Sequence, residues 1–120
     1  MIEQLIARVF AMRDAAHLAH WQTSSYARHM ALGAFYDEIV EKLDVIVEAR
    51  QVRGLLFKGP LPFQAVKPDP LTIQDAISSD AAWIGQNRSE IANGIPAVLN
   101  MVDDLQGLYL TTLYKLRQLS

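Results

Sequence analysis

Three histidines, His17, His20 and His29, fall close together in the first quarter of the chain. A run of carboxylates, Asp37, Glu41, Asp44 and Glu48, follows them. Imidazoles and carboxylates without thiols form the ligand set of a hard or borderline cation such as iron, manganese or zinc, and the chain has no cysteine. On a helix, residues three or four apart share a face. His17 and His20 therefore form one neighbouring pair, and Asp44 and Glu48 form another that can chelate an ion from a rigid backbone. Each feature also has a plainer reading. A lone histidine on an apolar face is more often a satisfied core residue, and an acidic stripe is ordinarily a solvated face.

The elements that must position these groups follow from hydrophobic periodicity. Ile2, Leu5, Ile6, Val9, Phe10, Arg13, Ala16, His17 and His20 fall on one side of a helix over residues 2–21. Two ionisable rings at the end of an apolar stripe require polar partners. Residues 22–25, QTSS, are a short polar connection with helix-capping chemistry. A link this short predicts an antiparallel helical hairpin. The second helix is expected over 26–53, with Phe35, Tyr36, Ile39, Val40, Leu43, Ile46 and Val47 inward and the acidic stripe roughly opposite.

Residues 54–70, GLLFKGPLPFQAVKPDP, hold two glycines and four prolines and cannot continue a helix. Their apolar content predicts a packed crossover. A weaker helix is expected over 71–93, from Leu71, Ile73, Ala76 and Ile77 onward, broken or re-capped at Ser78–Asp80. Asn93-Gly94 reads as a helix stop and Pro96 as the first turn of the next helix. The last helix, 96–118, carries the seam Val98, Val102, Leu105, Tyr109, Thr112, Leu116, Leu119, widened by Leu99 and Leu113. Asp103 and Asp104 face away from it. The fold expected is all-α: a four-helix bundle in one domain, 1–120, with a long crossover between helices 2 and 3 and a broken third helix.

The chain has 120 residues, a formal net charge of −2 and 51% hydrophobic residues. That suits one core and argues against a general nucleic-acid binder, which needs a basic face. No apolar run is long enough to span a bilayer. The N-terminus has an early Glu and no long apolar block, so an intracellular, cytoplasmic location is expected. There is no Gly-x-Ser-x-Gly turn, no phosphate-cradling Gly loop and no cysteine nucleophile.

His20-Trp21, then His29, then Phe35-Tyr36-Asp37-Glu38, then Asp44, Glu48 and Arg50 resemble the ferroxidase signature of the Dps-like miniferritins of the ferritin-like superfamily. The GLLFKGPLP segment is similar to the Gly- and Pro-containing stretch after that family's second helix. The resemblance covers residues 15–62. It implies a ferritin-like bundle in a homo-oligomer built on a two-fold dimer. It also implies iron held by His20 and His29 of one chain with Asp44 and Glu48 of its partner, where Fe(II) would be oxidised by oxygen or peroxide. Three departures accompany it. The loop between His20 and His29 is shorter and lacks the family's Gly-Pro element. The residue four beyond His29, acidic in the family, is Gly33, for which His17 or Asp37 would have to compensate. A basic DNA-binding tail is absent. The alternative expectation is a ferritin-like structural or interaction protein without the activity, in which the histidines pack.

Overall fold

The computed structural model describes residues 1–70 and 72–119. Its five helices are α1 (Ile2–Gln22), α2 (Tyr26–Arg50), α3 (Ile73–Gln86), α4 (Arg88–Ala92) and α5 (Pro96–Gln118). No strand occurs among the described residues. α1 packs on α2 and α3, whereas α5 packs on α2, α3 and α4. The cyclic order is therefore α1, α2, α5, α3/α4, an all-helical bundle around one core. No helix is long and apolar enough to cross a membrane.

Local chemistry sets the boundaries. Ser25 caps α2, its Oγ accepting from the Arg28 N–H at 3.2 Å. The connection to α1 is only Thr23–Ser25, so the two helices fold back as a hairpin. Arg28 ties the start of α2 to the Pro70 carbonyl at 3.0 Å, and Arg50 ties its end to the Ile91 carbonyl at 2.8 Å. Asn93 adopts the left-handed conformation (φ 52°) at the end of α4, Gly94 follows at φ 77°, and Pro96 opens α5, as the sequence predicts.

The core contains Leu5, Val9, Met12, Leu32, Phe35, Ile39, Leu43, Ile46, Ile77, Ile84, Val102, Leu105 and Leu116, all almost fully buried. Each such side chain contributes about 1.5–3 kcal/mol of burial free energy. Phe35 meets Tyr109 edge-on across α2 and α5, with ring centroids 5.2 Å apart. On α1 the buried stripe runs through Met12, Ala15, Ala16 and Ala19, while Phe10, Arg13, His17 and His20 are only half-buried at its edge.

Three expectations change. The third helix breaks at Asn87, between α3 and α4, and not at Ser78–Asp80. Asp80 is a buried residue within α3, because it falls on the stripe of Ile73, Ile77 and Ile84. The crossover is irregular, as expected, yet only Leu61 and Val66 pack on the core. Leu55, Leu56, Phe57 and Phe63 are 70%, 65%, 40% and 60% exposed. The last seam position, Leu119, is also exposed. Leu71 lies outside the described residues.

Candidate functional site

The hairpin turn brings His20, in the last turn of α1, against His29, in the first turn of α2. Their rings stack with centroids 3.6 Å apart and planes inclined by 18°. His20 Nδ1 lies 2.6 Å from the His29 carbonyl oxygen, and His29 Nδ1 lies 2.8 Å from the His20 carbonyl oxygen. A carbonyl only accepts, so each Nδ1 carries a proton and donates. His29 thereby satisfies a carbonyl in the last turn of α1, where helix geometry leaves carbonyls without partners. The two rings clamp the hairpin reciprocally.

The cluster extends through His17. Its ring stacks on Tyr36 at 4.0 Å with 13° between the planes, and lies 4.5 Å from the Trp21 ring. Tyr36 meets His20 edge-on at 5.4 Å. Gly33 completes the packing. A Cβ there would lie 3.1 Å from His20 Cε1 and 3.2 Å from Nδ1. The His20 ring therefore occupies the space that a side chain at position 33 would need.

The acidic residues stand elsewhere. Asp37, Asp44 and Glu48 are exposed. Asp44 lies fifteen residues beyond His29 on the same helix, about 22 Å along the axis at ~1.5 Å rise per residue. Among the described residues, no group of three or more His, Asp and Glu side chains is placed to hold a metal ion. Within one chain, the four expected ligands therefore separate into a histidine pair and a distant carboxylate pair.

Ring geometry tests the fit of an ion at the histidine pair. A metal lies in the plane of its imidazole, ~2.1 Å from the nitrogen. Stacked rings with centroids 3.6 Å apart and planes inclined by only 18° direct their in-plane lone pairs side by side, not onto a common point, so the two do not share one ion at ~2.1 Å. Each Nε2 remains able to take an ion of its own, because a ligating histidine commonly donates its other N–H to a carbonyl. His17, whose ring lies 6.4 Å from that of His20, is the nearest further imidazole in the same chain.

A second polar cluster, not anticipated from spacing, lies between α1, α3 and α5. Arg8 donates to Asp80 Oδ1 at 2.7 Å and covers the Trp83 ring at 4.5 Å. Among the described residues, Asp80 Oδ2 and the fully buried Tyr109 hydroxyl have no hydrogen-bond partner. Burial raises the Asp80 carboxyl above its ordinary value despite the opposing effect of Arg8. Burial, and secondarily the Asp80 charge, pushes the Tyr109 phenol well above its ordinary value. A cavity of about 220 Å³ adjoins Arg8 and Asp80 beneath crossover residues Pro62, Gln64, Ala65 and Val66. An aspartate at a buried helical position of α3 was the available sequence signal.

Asp103 pairs with Arg88 through two bonds, 2.7 and 2.6 Å. Arg88 holds the Asp103 carboxyl below its ordinary range. This exposed fork joins α4 to α5.

An uncharacterised 14.6 kDa protein from the mobD–ri intergenic region of Enterobacteria phage T4 is 25% identical over 114 residues, covering 95% of this chain and 86% of the phage protein. No solved structure matches. Residues 20–116, which include the histidine clamp and run from the last turn of α1 into the last turn of α5, match a family of unknown function, DUF5856, and the chain belongs to that family.

Proposed function

We propose that this protein is a helical-bundle assembly or interaction protein in which the His20–His29 pair is a structural clamp. The observation that carries this reading is the reciprocal pairing of the two rings, each Nδ1 on the other residue's backbone carbonyl. Gly33 supports it, since the space of the missing ligand is filled by His20 itself. On this reading Trp21, Tyr26 and Met30, which are 67%, 68% and 54% exposed beside the clamp, belong to the recognition surface.

A second reading rests on the two unused Nε2 atoms. In a ferritin-like two-fold dimer, Asp44 and Glu48 of the partner copy would complete sites for two ions, one on each imidazole, with His17 and Asp37 as additional candidates. Fe(II) would then be the substrate, oxidised by oxygen or peroxide.

Anaerobic Fe(II) titration of the full chain separates the readings. Oxygen or peroxide is then added while Fe(III) absorbance is recorded, with Asp44→Ala alongside. The clamp reading expects no binding above the variant. Saturable binding and oxidation, both lost in Asp44→Ala, would replace it with the ferroxidase reading.

A further inference from the structure

The crossover and the outer face of α2 carry complementary chemistry, and neither is covered within the chain. Residues 49–68 contain Arg50, Arg53, Lys58 and Lys67 and no acidic residue, in a protein of net charge −2. Arg50 is committed to the Ile91 carbonyl. Arg53 and Lys58 are exposed, and between and beyond them stand Leu55, Leu56, Phe57 and Phe63, exposed by 40–70%. A run of large apolar side chains left in water is the usual mark of an interaction surface.

The opposite chemistry lies on α2. Asp37, Glu38, Glu41, Asp44 and Glu48 are all exposed, and none is in an ion pair among the described residues. Val45, within this face, is 47% exposed. Five carboxylates on one helix, with Lys42 the single cation among them, repel one another and favour a cationic cover. The matching cover, apolar and basic, is present on the same molecule.

We infer that the crossover of one copy docks on the acidic face of α2 of a second copy, with Arg53 and Lys58 against Asp37, Glu38 and Glu41 and with Leu56 and Phe57 against Val45. The inference rests on the assembly reading above and adds to the surface beside the clamp a second one, with a second copy of the chain as its partner. Charge complementarity sets the orientation and accelerates encounter, while burial of the apolar side chains holds the contact. In a two-fold pair the contact occurs twice, the commonest way for identical chains to close. Docking of this kind covers the face of α2 that also carries Asp44 and Glu48, so it competes with their use as metal ligands.

The test is the mass of the full chain by analytical ultracentrifugation at low and high salt. It is repeated for Arg53→Glu/Lys58→Glu, for Glu38→Lys/Glu41→Lys, and for an equimolar mixture of the two. All four substitutions are at exposed positions, and circular dichroism verifies that each variant folds. The expected result is a salt-weakened dimer for the wild type, monomers for each variant alone, and a dimer restored in the mixture, because the reversed charges again match. Leu56→Ser/Phe57→Ser should be monomeric at any salt. A wild-type monomer at high protein concentration would overturn the inference. So would a dimer that neither charge reversal weakens. Capture of a monomeric wild type on anionic vesicles, and not on zwitterionic ones, would also overturn it by giving the crossover a lipid partner. A parallel run in EDTA and with added Fe(II) separates the two layers. Association that requires the metal overturns the clamp reading, whereas metal-independent association insensitive to the charge reversals overturns only the docking surface.

Discussion

Gly33 and His20 are in contact across the helical hairpin: a Cβ on residue 33 would approach the imidazole to 3.1 Å. The ring has little freedom to retreat, since its Nδ1 is bonded to the His29 carbonyl at 2.6 Å and its face is stacked on His29. Within a helix, Gly→Ala otherwise gains about 1 kcal/mol. In the wild type, Gly33→Ala should therefore yield none of that gain, and Gly33→Asp should destabilise by about 1–3 kcal/mol through overpacking. In a His20→Ala background, Gly33→Ala should recover the full ~1 kcal/mol. Urea denaturation of the four members of this cycle measures the coupling. Additive effects would mean that the ring does not occupy the space above Gly33.

The histidine clamp and the acidic face differ in what each contributes to stability. His29→Ala removes a ring stack and strands the His20 carbonyl, for an expected loss of about 1–3 kcal/mol. Asp44→Ala and Glu48→Ala alter exposed side chains without partners and should stay within about 0.5 kcal/mol of the wild type. Thermal and urea unfolding of the three variants test this contrast. Equal losses at all three positions would contradict it.

The Tyr109 hydroxyl is fully buried and has no hydrogen-bond partner among the described residues. Its desolvation is uncompensated, so its removal should cost nothing and gain up to about 1 kcal/mol. Tyr109→Phe keeps the edge-on packing with Phe35 and should raise the unfolding midpoint. A marked loss of stability would show that the hydroxyl has a partner in solution.

Asp80 gives stability a specific pH dependence. Burial raises its pKa above the ordinary 3.8. The unfolded chain then releases the Asp80 proton at lower pH than the folded one, so between the two values the native state binds more protons and stability falls as pH rises. The Asp80 contribution is fully present below about the ordinary value and is lost as pH passes through the raised folded value. Wild type minus Asp80→Asn, measured by urea denaturation across this acidic range, should show that decline. A difference that grows with pH would mean that Arg8 outweighs burial and depresses the carboxyl instead.

Much of the scaffold is legible in the sequence. The helices, the Ser25 cap, the Asn93-Gly94 stop and Pro96 start, and the seam from Val98 to Leu116 all follow from period and capping, which are local properties. Non-local properties escaped. Local capping chemistry points to a break at Ser78–Asp80, whereas the helix breaks at Asn87, because the burial of Asp80 is imposed by neighbouring helices and not by its own stretch. The crossover was expected to pack throughout, because its composition is apolar. Composition does not say which residues reach a core, and only Leu61 and Val66 do.

By itself, the sequence determined that this chain is an all-helical bundle, that it has imidazoles and carboxylates but no thiols, and that its acids line one face of the second helix. Only the tertiary structure decided how those groups are used. Spacing along a helix fixes which residues share a face, but not which way a ring turns or what it meets. The fold turned His20 and His29 onto each other's carbonyls, filled the space above Gly33 with a ring, and left Asp44 about 22 Å and Glu48 about 28 Å along α2 from His29, both in solvent. Those outcomes depend on the angle at which two helices meet across a three-residue turn, a relation between elements that no single stretch of sequence contains.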